Sequence, residues 1–385
     1  MKARRRVFGL VLTAVLALAS AAHAQLAVTS NDNKVMLDNG TVKIAQNPAA
    51  DTVTIIDLKV SPPRVLAEVA APGSMVGPPL SVALTPDESL ALVGSSTKID
   101  PSNPTKLVPD RRVSVIDLKA SPPVVIATLE AGKSPAGISI NRQGTLALVA
   151  NRGEGTVSVF SIAGKTVTPV GKVTIADEKS GTCHAVFTPD GRMALVTRYG
   201  DHKISVLKID GTNVEYTRRD INAGLRPYGI DVSSNGEFAA VANIGVGQGD
   251  ADTVSLIDLR ATPSRVVETV TVGQTPEGIK VSPDGAHVAV VVMNGSNKAK
   301  ESPFYGDAGK LVLLRVKDMK LTKVAEAPIG HWSQGAAFSP DGKTLLVGNM
   351  VEKDVQVFSF NGRALKEVGR IKVNGGPVAV RTAEK

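Results

Sequence analysis

Four places along the chain carry side chains that could do chemistry where equivalent positions carry none: Cys183-His184, Arg226 with Tyr228, Glu277, and His331-Trp332 with Gln334. Each stands at the opening of a strand-like run, where most copies read Pro-x-Gly, as Pro135-Ala-Gly137 and Pro276-Glu-Gly278 do. The same pattern places Lys133, Arg152, Arg198 and Tyr199 nearby. A guanidinium offers a planar fork to a carboxylate or phosphate, and Tyr or Trp offers a stacking surface. Arg152, Arg198, Tyr199, Tyr228, His331, Trp332 and Gln334 are therefore candidates for binding a small polar or anionic ligand. Cys183 and His184 are adjacent in one strand, so their side chains point to opposite faces and do not pair as nucleophile and base. No metal site is expected. His202 and His287 lack H-x-H or H-x3-H spacing, and Gly249-Asp-Ala-Asp252 lacks the further oxygen ligands calcium needs. No other cofactor is expected either.

The elements that must position these residues repeat. Gly137-Ile-Ser-Ile-Asn-Arg-Gln-Gly144 leads into Thr145-Leu-Ala-Leu-Val-Ala-Asn151 and then Thr156-Val-Ser-Val-Phe160. Gly229–Gly236, Phe238–Asn243 and Thr253–Asp258 repeat the scheme, and Gly278 and Gly335 open two more copies with Ser-Pro-Asp-Gly at the turn. The turn position recurs at Glu88, Gly144, Gly191, Gly236, Gly285 and Gly342, 45 to 57 residues apart. Each copy holds four β-branched runs bounded by turn formers; around Gly144 they are Ala136–Asn141, Thr145–Ala150, Thr156–Ser161 and Thr166–Thr174. Such a period with four strands per unit predicts a propeller rather than a helical solenoid. Pro377–Thr382 matches the inner strand Leu80–Thr85, and Leu26–Asn31 matches the strand that follows it. The two ends of the chain should complete one split blade, giving an all-β, seven-bladed propeller of four-stranded antiparallel blades over residues 25–385.

Propeller connectivity sorts the loops. Links between blades and between second and third strands share one face, which receives the long insertions Asn31–Asp51, Ser95–Arg111, Asn243–Asp252 and Asn294–Gly309. Loops of this length in a compact repeat usually carry function, so the site is expected on that face. The opposite face holds short turns.

Composition narrows the partners. Lys2, Arg4, Arg5 and Arg6, the apolar run Val7–Ala19 and Ala22-His23-Ala24 form an apparent secretory signal over residues 1–24, too short for a membrane anchor. The expected location is periplasmic or secreted. Losing those four basic residues halves the formal +8 charge of the 385-residue chain, which argues against nucleic acid as a partner. The one cysteine excludes an internal disulfide framework. A monomer is expected, stable through packing alone, that binds a small anion or a protein on its loop-rich face.

The runs Leu148-Val-Ala-Asn151, Ala240-Val-Ala-Asn243 and Leu346-Val-Gly-Asn349 are followed by Thr156-Val-Ser-Val159, Thr253-Val-Ser-Leu-Ile-Asp258 and Asp354-Val-Gln-Val357. They resemble the YVTN-type seven-bladed propellers over essentially the whole mature chain. Cys183-His184-Ala-Val-Phe-Thr-Pro-Asp-Gly-Arg192 and Gly200–Asp210 resemble more narrowly a blade of the lactonase propellers, including the bacterial 6-phosphogluconolactonase type. That resemblance implies hydrolysis of a sugar-derived lactone, with His184 and Arg226 at two of the family's site positions. The third motif fits at Asn243, but the family's next residue, a Glu, is Ile244 here. Glu277 from the next blade is the carboxylate that could replace it. Two functions stay open: an exported binding or scaffold protein, and a lactonase-like hydrolase using His184, Arg226 and Glu277. Binding of single-stranded nucleic acid through Trp332 and Tyr199 is a third, weaker reading.

Overall fold

A computed structural model describes residues 25–384; the expected signal over 1–24 lies outside the described residues. Seven four-stranded antiparallel sheets form the blades, and the only helical segment among the described residues is a 3-10 turn at Glu178–Ser180. No described helix is long and apolar enough to cross a membrane. The third blade shows how sequence becomes sheet. Its strands Pro135–Ile140, Leu146–Asn151, Thr156–Ala163 and Thr166–Thr174 fall within two residues of the sequence expectation. The two inner strands are buried throughout, since neighbouring blades cover both faces. The outermost strand, Thr166–Thr174, is mostly exposed and polar.

The first blade is built from both ends of the chain. Gly376–Thr382 pairs antiparallel with Leu26–Asp32, which pairs in turn with Thr52–Asp57 and, beyond it, Arg64–Ala70. Val378, Ala379 and Val380 of this closing strand are buried, and Thr382 Oγ1 donates 3.0 Å to Phe338 O of the seventh blade.

Two local devices recur around the ring. The six turns from first to second strand all place their pivot in the left-handed region: Glu88 and Gly144, Gly191, Gly236, Gly285 and Gly342 have φ from 56° to 73°. Glycine meets that geometry without the Cβ penalty, and a Ser or Thr bonded to the turn's Asp or Asn fixes it, as in Thr188 Oγ1 to Asp190 Oδ1 at 2.6 Å. The second device is the asparagine ending the second strand. Asn151 Nδ2 donates to Thr156 Oγ1 and Ser158 Oγ of the third strand, both at 2.9 Å, while its Oδ1 accepts from Gly132 N at 3.0 Å. Asn243 and Asn349 repeat this bridge to Gly224 and Gly330. In these three blades the YVTN-like asparagine thus ties the blade to the connection arriving from the blade before it.

The long insertions do not remain structureless. Val35–Asp38 pairs with Thr41–Ile44 and Thr97–Asp100 with Asn103–Pro109, so two of them are hairpins. Asn39 Nδ2 donates to Glu301 Oε2 at 2.8 Å, and Lys298 Nζ donates to Gly247 O at 2.7 Å, linking three insertions into one surface.

Deleting Pro377–Lys385 should lower the thermal midpoint by on the order of 10 °C, because three buried side chains and a whole strand pairing go with it; calorimetry of the truncated protein checks this. Asn151→Ala should cost about 1–3 kcal/mol in urea unfolding, since it removes three buried hydrogen bonds while Gly132 N keeps Ser158 Oγ as acceptor and Thr156 Oγ1 keeps Glu154.

Candidate functional site

The inner strands line the central channel, and their common register stacks their residues in layers. The second residue of the inner strand is Cys183, Tyr228, Glu277 and Gln334 in four consecutive blades, the fourth to the seventh. The third residue is Gly137, Gly229, Gly278 or Gly335 in four blades and His184 in the fourth. The glycines are required by close approach: a Cβ at Gly229 would lie 2.6 Å from Glu277 O, and one at Gly335 2.6 Å from Val380 N. The channel is therefore narrow at the third layer, and a polar arc lies just above it on the loop-rich side.

Arginines and tyrosines complete the arc. Arg152 follows the latch Asn151, and its guanidinium lies 4.7 Å over the Tyr199 ring and 5.7 Å from that of Tyr228, with Nη1 donating to Cys183 Sγ. Arg226 stacks on the same Tyr199 ring at 5.0 Å, and the two tyrosines meet at 5.9 Å. These are cation–π distances, and they hold two fixed positive charges side by side. His202 contributes through its ring, where Nδ1 accepts from Arg226 N at 3.2 Å. The Arg226 backbone is left-handed (φ 57°), as are Ser134, Thr275 and Trp332 at the same blade entry. The bend belongs to the fold rather than to the site.

The electrostatics single out Glu277. Burial raises its carboxyl to about 7, and the hydrogen bond from Gln334 and the charge of Arg152 only partly oppose that. A carboxyl that titrates near neutrality can both accept and return a proton at working pH. Tyr228 is pushed well above its usual range by burial, so its hydroxyl stays protonated. Cys183 is raised for the same reason, Arg152 opposing; the thiol donates to Gly181 O at 3.0 Å and is not a thiolate nucleophile.

The structure thus brings together Glu277, Arg226, Arg152, Tyr199, Tyr228 and Gln334, and leaves four of the sequence candidates apart. His184 is fully buried, and its Nδ1 lies 3.0 Å from Ile230 O, the backbone of the next blade. Burial, then the charge of Arg381, lowers it to about 3, so it is a neutral ring wedged between inner strands. It cannot meet a substrate beside Arg226. Arg198 occupies the latch position of the fourth blade, and its guanidinium turns into the sheet to Ser205, Asp201 and Asp220. Trp332 is 5 % exposed and packs with Val35, Met293, Met350 and Val378 beneath the insertions, a plug rather than a stacking platform. His331 bonds through Nδ1 to Glu352 Oε1 at 2.7 Å, away from the arc. Among the described residues no three His, Cys, Asp or Glu side chains converge as metal ligands would.

Sequence reasoning missed a charged group at the other end of the channel, formed by Asp231, Lys280, Arg381 and Glu384. The signal was available: Asp231 and Lys280 are charged where the equivalent inner-strand residues are Ser139, Val186 and Ala337.

A family model described as "Lactonase, 7-bladed beta-propeller" matches residues 123–382. Among solved structures, a putative 6-phosphogluconolactonase from Bacteroides fragilis is 17% identical with a TM-score of 0.70, covering 94% of this chain and 99% of that one. A second putative 6-phosphogluconolactonase, from Bacteroides uniformis, gives 19%, 0.67, 94% and 99%. A periplasmic gluconolactonase of Pseudomonas aeruginosa gives 16%, 0.67, 93% and 99%. No curated protein matches the sequence. Identities this low speak for the fold alone; the family model spans more than half of the sequence, and on that ground the chain belongs to the lactonase family of seven-bladed β-propellers.

Proposed function

We propose that this propeller hydrolyses a sugar-derived lactone at the arc of Glu277, Arg152, Arg226, Tyr199 and Tyr228. The observation that carries the reading is the Glu277 carboxyl, poised at about 7 beside a fixed guanidinium. As carboxylate, Glu277 takes a proton from a water whose oxygen adds to the lactone carbonyl carbon. The carbonyl oxygen becomes an oxyanion, which the Arg152 or Arg226 guanidinium stabilises in a partly desolvated site. Collapse of this intermediate breaks the ring C–O bond, and the departing ring oxygen takes the proton back from Glu277. One water is consumed and a hydroxy acid results, whose carboxyl gives its proton to solvent, the carboxylate being held against the arginines until release. His184 takes no part beyond holding the inner strands. The export signal read over residues 1–24 would place this activity in the periplasm or outside the cell.

A binding role without turnover is the second reading. It is favoured by Ile244, which stands where the lactonase resemblance expects a Glu and whose backbone N donates to Arg226 O at 3.1 Å. The same guanidiniums would then hold a small anion that is never hydrolysed.

Gluconolactone and 6-phosphogluconolactone, followed by pH-stat against the spontaneous rate, are the probes. Glu277→Gln should lower kcat at least 100-fold, within the range of general-base contributions, while His184→Gln lowers it far less. No turnover of either lactone by the unaltered protein, with retained binding of gluconate, would move the assignment to the binding role. Since only ionised Glu277 is a base, kcat/KM should rise with pH and level off above about 7. Stability should run the other way. A carboxyl raised in the folded state binds protons more tightly there than in the unfolded chain, so stability falls as pH climbs from the unfolded value near 4.5 through about 7. Glu277→Gln should accordingly raise the thermal midpoint at pH 8 and leave it nearly unchanged at pH 4.

A further inference from the structure

At the end of the channel away from the insertions, the inner strands open into a cavity of about 200 Å³ lined by six of the seven blades. Its wall includes Arg142, Asp231, Lys280, Arg381 and Glu384 among apolar and hydroxyl side chains. Asp231, Lys280 and Arg381 occupy the same register position in the fifth, sixth and first blades, each opposite the third residue of its second strand. One layer of the channel is therefore charged, two residues below the glycine layer.

The charges are enclosed. The side chains of Asp231, Lys280 and Arg381 are only 2%, 8% and 3% exposed. Lys280 Nζ meets Asp231 Oδ2 at 3.0 Å and Glu384 Oε1 at 2.6 Å, and Arg381 Nη2 meets the same Glu384 oxygen at 2.6 Å. Nε and Nη1 of Arg381 have no partner among the described residues. A buried guanidinium with two idle donors is costly, and such groups in native proteins ordinarily meet an acceptor. Glu384 belongs to the tail beyond the last strand, Gly376–Thr382, and its side chain is 38% exposed. Without it, three cations would face the single carboxylate of Asp231.

We propose that this mouth is a second binding site, for a small oxyanion bearing a carboxylate or phosphate group, and that the Glu384 carboxylate is a built-in competitor for it. Once the tail swings out, the ligand's oxygens accept from Lys280 Nζ and Arg381 Nη2 in place of Glu384, and from Arg381 Nε and Nη1, which are enclosed while the tail is in. Glu384 already behaves as a bound anion would: burial opposes its ionisation, yet Lys280 and Arg381 outweigh that and hold it below the usual carboxylate range. Asp231 is raised by burial despite Lys280, whose Nζ pairs with it at 3.0 Å. The site is separate from the Glu277 arc, since the glycine layer and the His184 ring lie between the two.

Inorganic phosphate and citrate test it on a chain carrying Arg152→Gln and Arg226→Gln, so that the upper arc no longer holds anions, by calorimetric titration and by thermal midpoint, each against chloride at equal ionic strength. Saturable binding by either anion is expected, the responding probe showing whether phosphate or carboxylate is preferred. Glu384→Gln should tighten it about tenfold, and Arg381→Gln should abolish it. Glu277→Gln should leave it unchanged, so a failure of the lactonase reading does not touch this one. No saturable binding beyond chloride would overturn the site, and so would saturation that survives in folded Arg381→Gln. Should Arg381→Gln not fold, Glu384→Gln on the tail decides: affinity equal to that of the unaltered chain overturns the proposal.

Discussion

A blade of four strands buries its two faces only where another blade lies against each, so the ring is held by the approach of its inner strands. That approach sets everything else in the channel. Where Gly229, Gly278 and Gly335 let one inner strand touch the next, no side chain fits, and the lumen closes to a neck. The pairing of Leu26–Asp32 with Gly376–Thr382 is what makes the neck possible. Six blades without that latch could splay, and the layers above and below the neck would lose their common geometry. The chain spends its conformational freedom at glycine to buy proximity, and both charged layers depend on it.

The neck divides the channel into two electrostatic environments with the same chemical ingredients. Above it, Glu277 lies near one guanidinium without a direct ion pair, and desolvation prevails, so its carboxyl rises to about 7. Below it, Glu384 touches both Lys280 and Arg381 at 2.6 Å, and attraction prevails over the cost of enclosure. Direct contact with cations is thus what separates a carboxyl suited to proton transfer from one suited to neutralising charge. The two arginines stacked on Tyr199 fit the first task. Arg152 keeps positive charge near Glu277 while directing it into aromatic faces rather than onto the carboxylate, and Arg226 shares the Tyr199 ring with it.

The sequence carried the ring in its punctuation. Gly144, Gly191, Gly236, Gly285 and Gly342 recur because each must take a left-handed turn, and Glu88 holds the same conformation without being a glycine. A large polar residue at the middle position of the blade entry, within Pro-x-Gly for Tyr228 and Glu277 and within Ser-x-Gly for Gln334, marked these three, because an inner strand tolerates such a residue only beside the channel. The same reasoning misplaced His184 and Arg198. His184 departs from the pattern at the third position, where the ring must lie across Gly137 toward Ile230 rather than into the mouth. Arg198 stands where a latch asparagine would, and its length lets it reach Ser205 and Asp220 within the sheet. Residue type and position are written in the chain, but the direction of a long side chain is decided by which partner the assembled blade offers. The layer of Asp231, Lys280 and Arg381 was hidden for a related reason: each is a single charge in an apolar strand, and only the common register gathers them.

If Glu277 serves in place of a carboxyl after Asn243, as the proposed function has it, more changes than an address. A Glu at position 244 would branch from backbone already bonded to Arg226 O, next to that arginine's own side chain, whose Nη1 reaches Gly245 O. So close to a guanidinium it would ionise at low pH and be a weak base at neutrality. Glu277 enters from the next blade at the level of Tyr228 and Gln334, where enclosure dominates and its basicity is higher. A lactone carbonyl is electrophilic enough that activating water is the main requirement, and a stronger base there compensates for a less direct grip on the substrate. On the proposed reading, a carboxyl moved one blade around the ring would keep a base for hydrolysis while shifting its pH range toward neutrality.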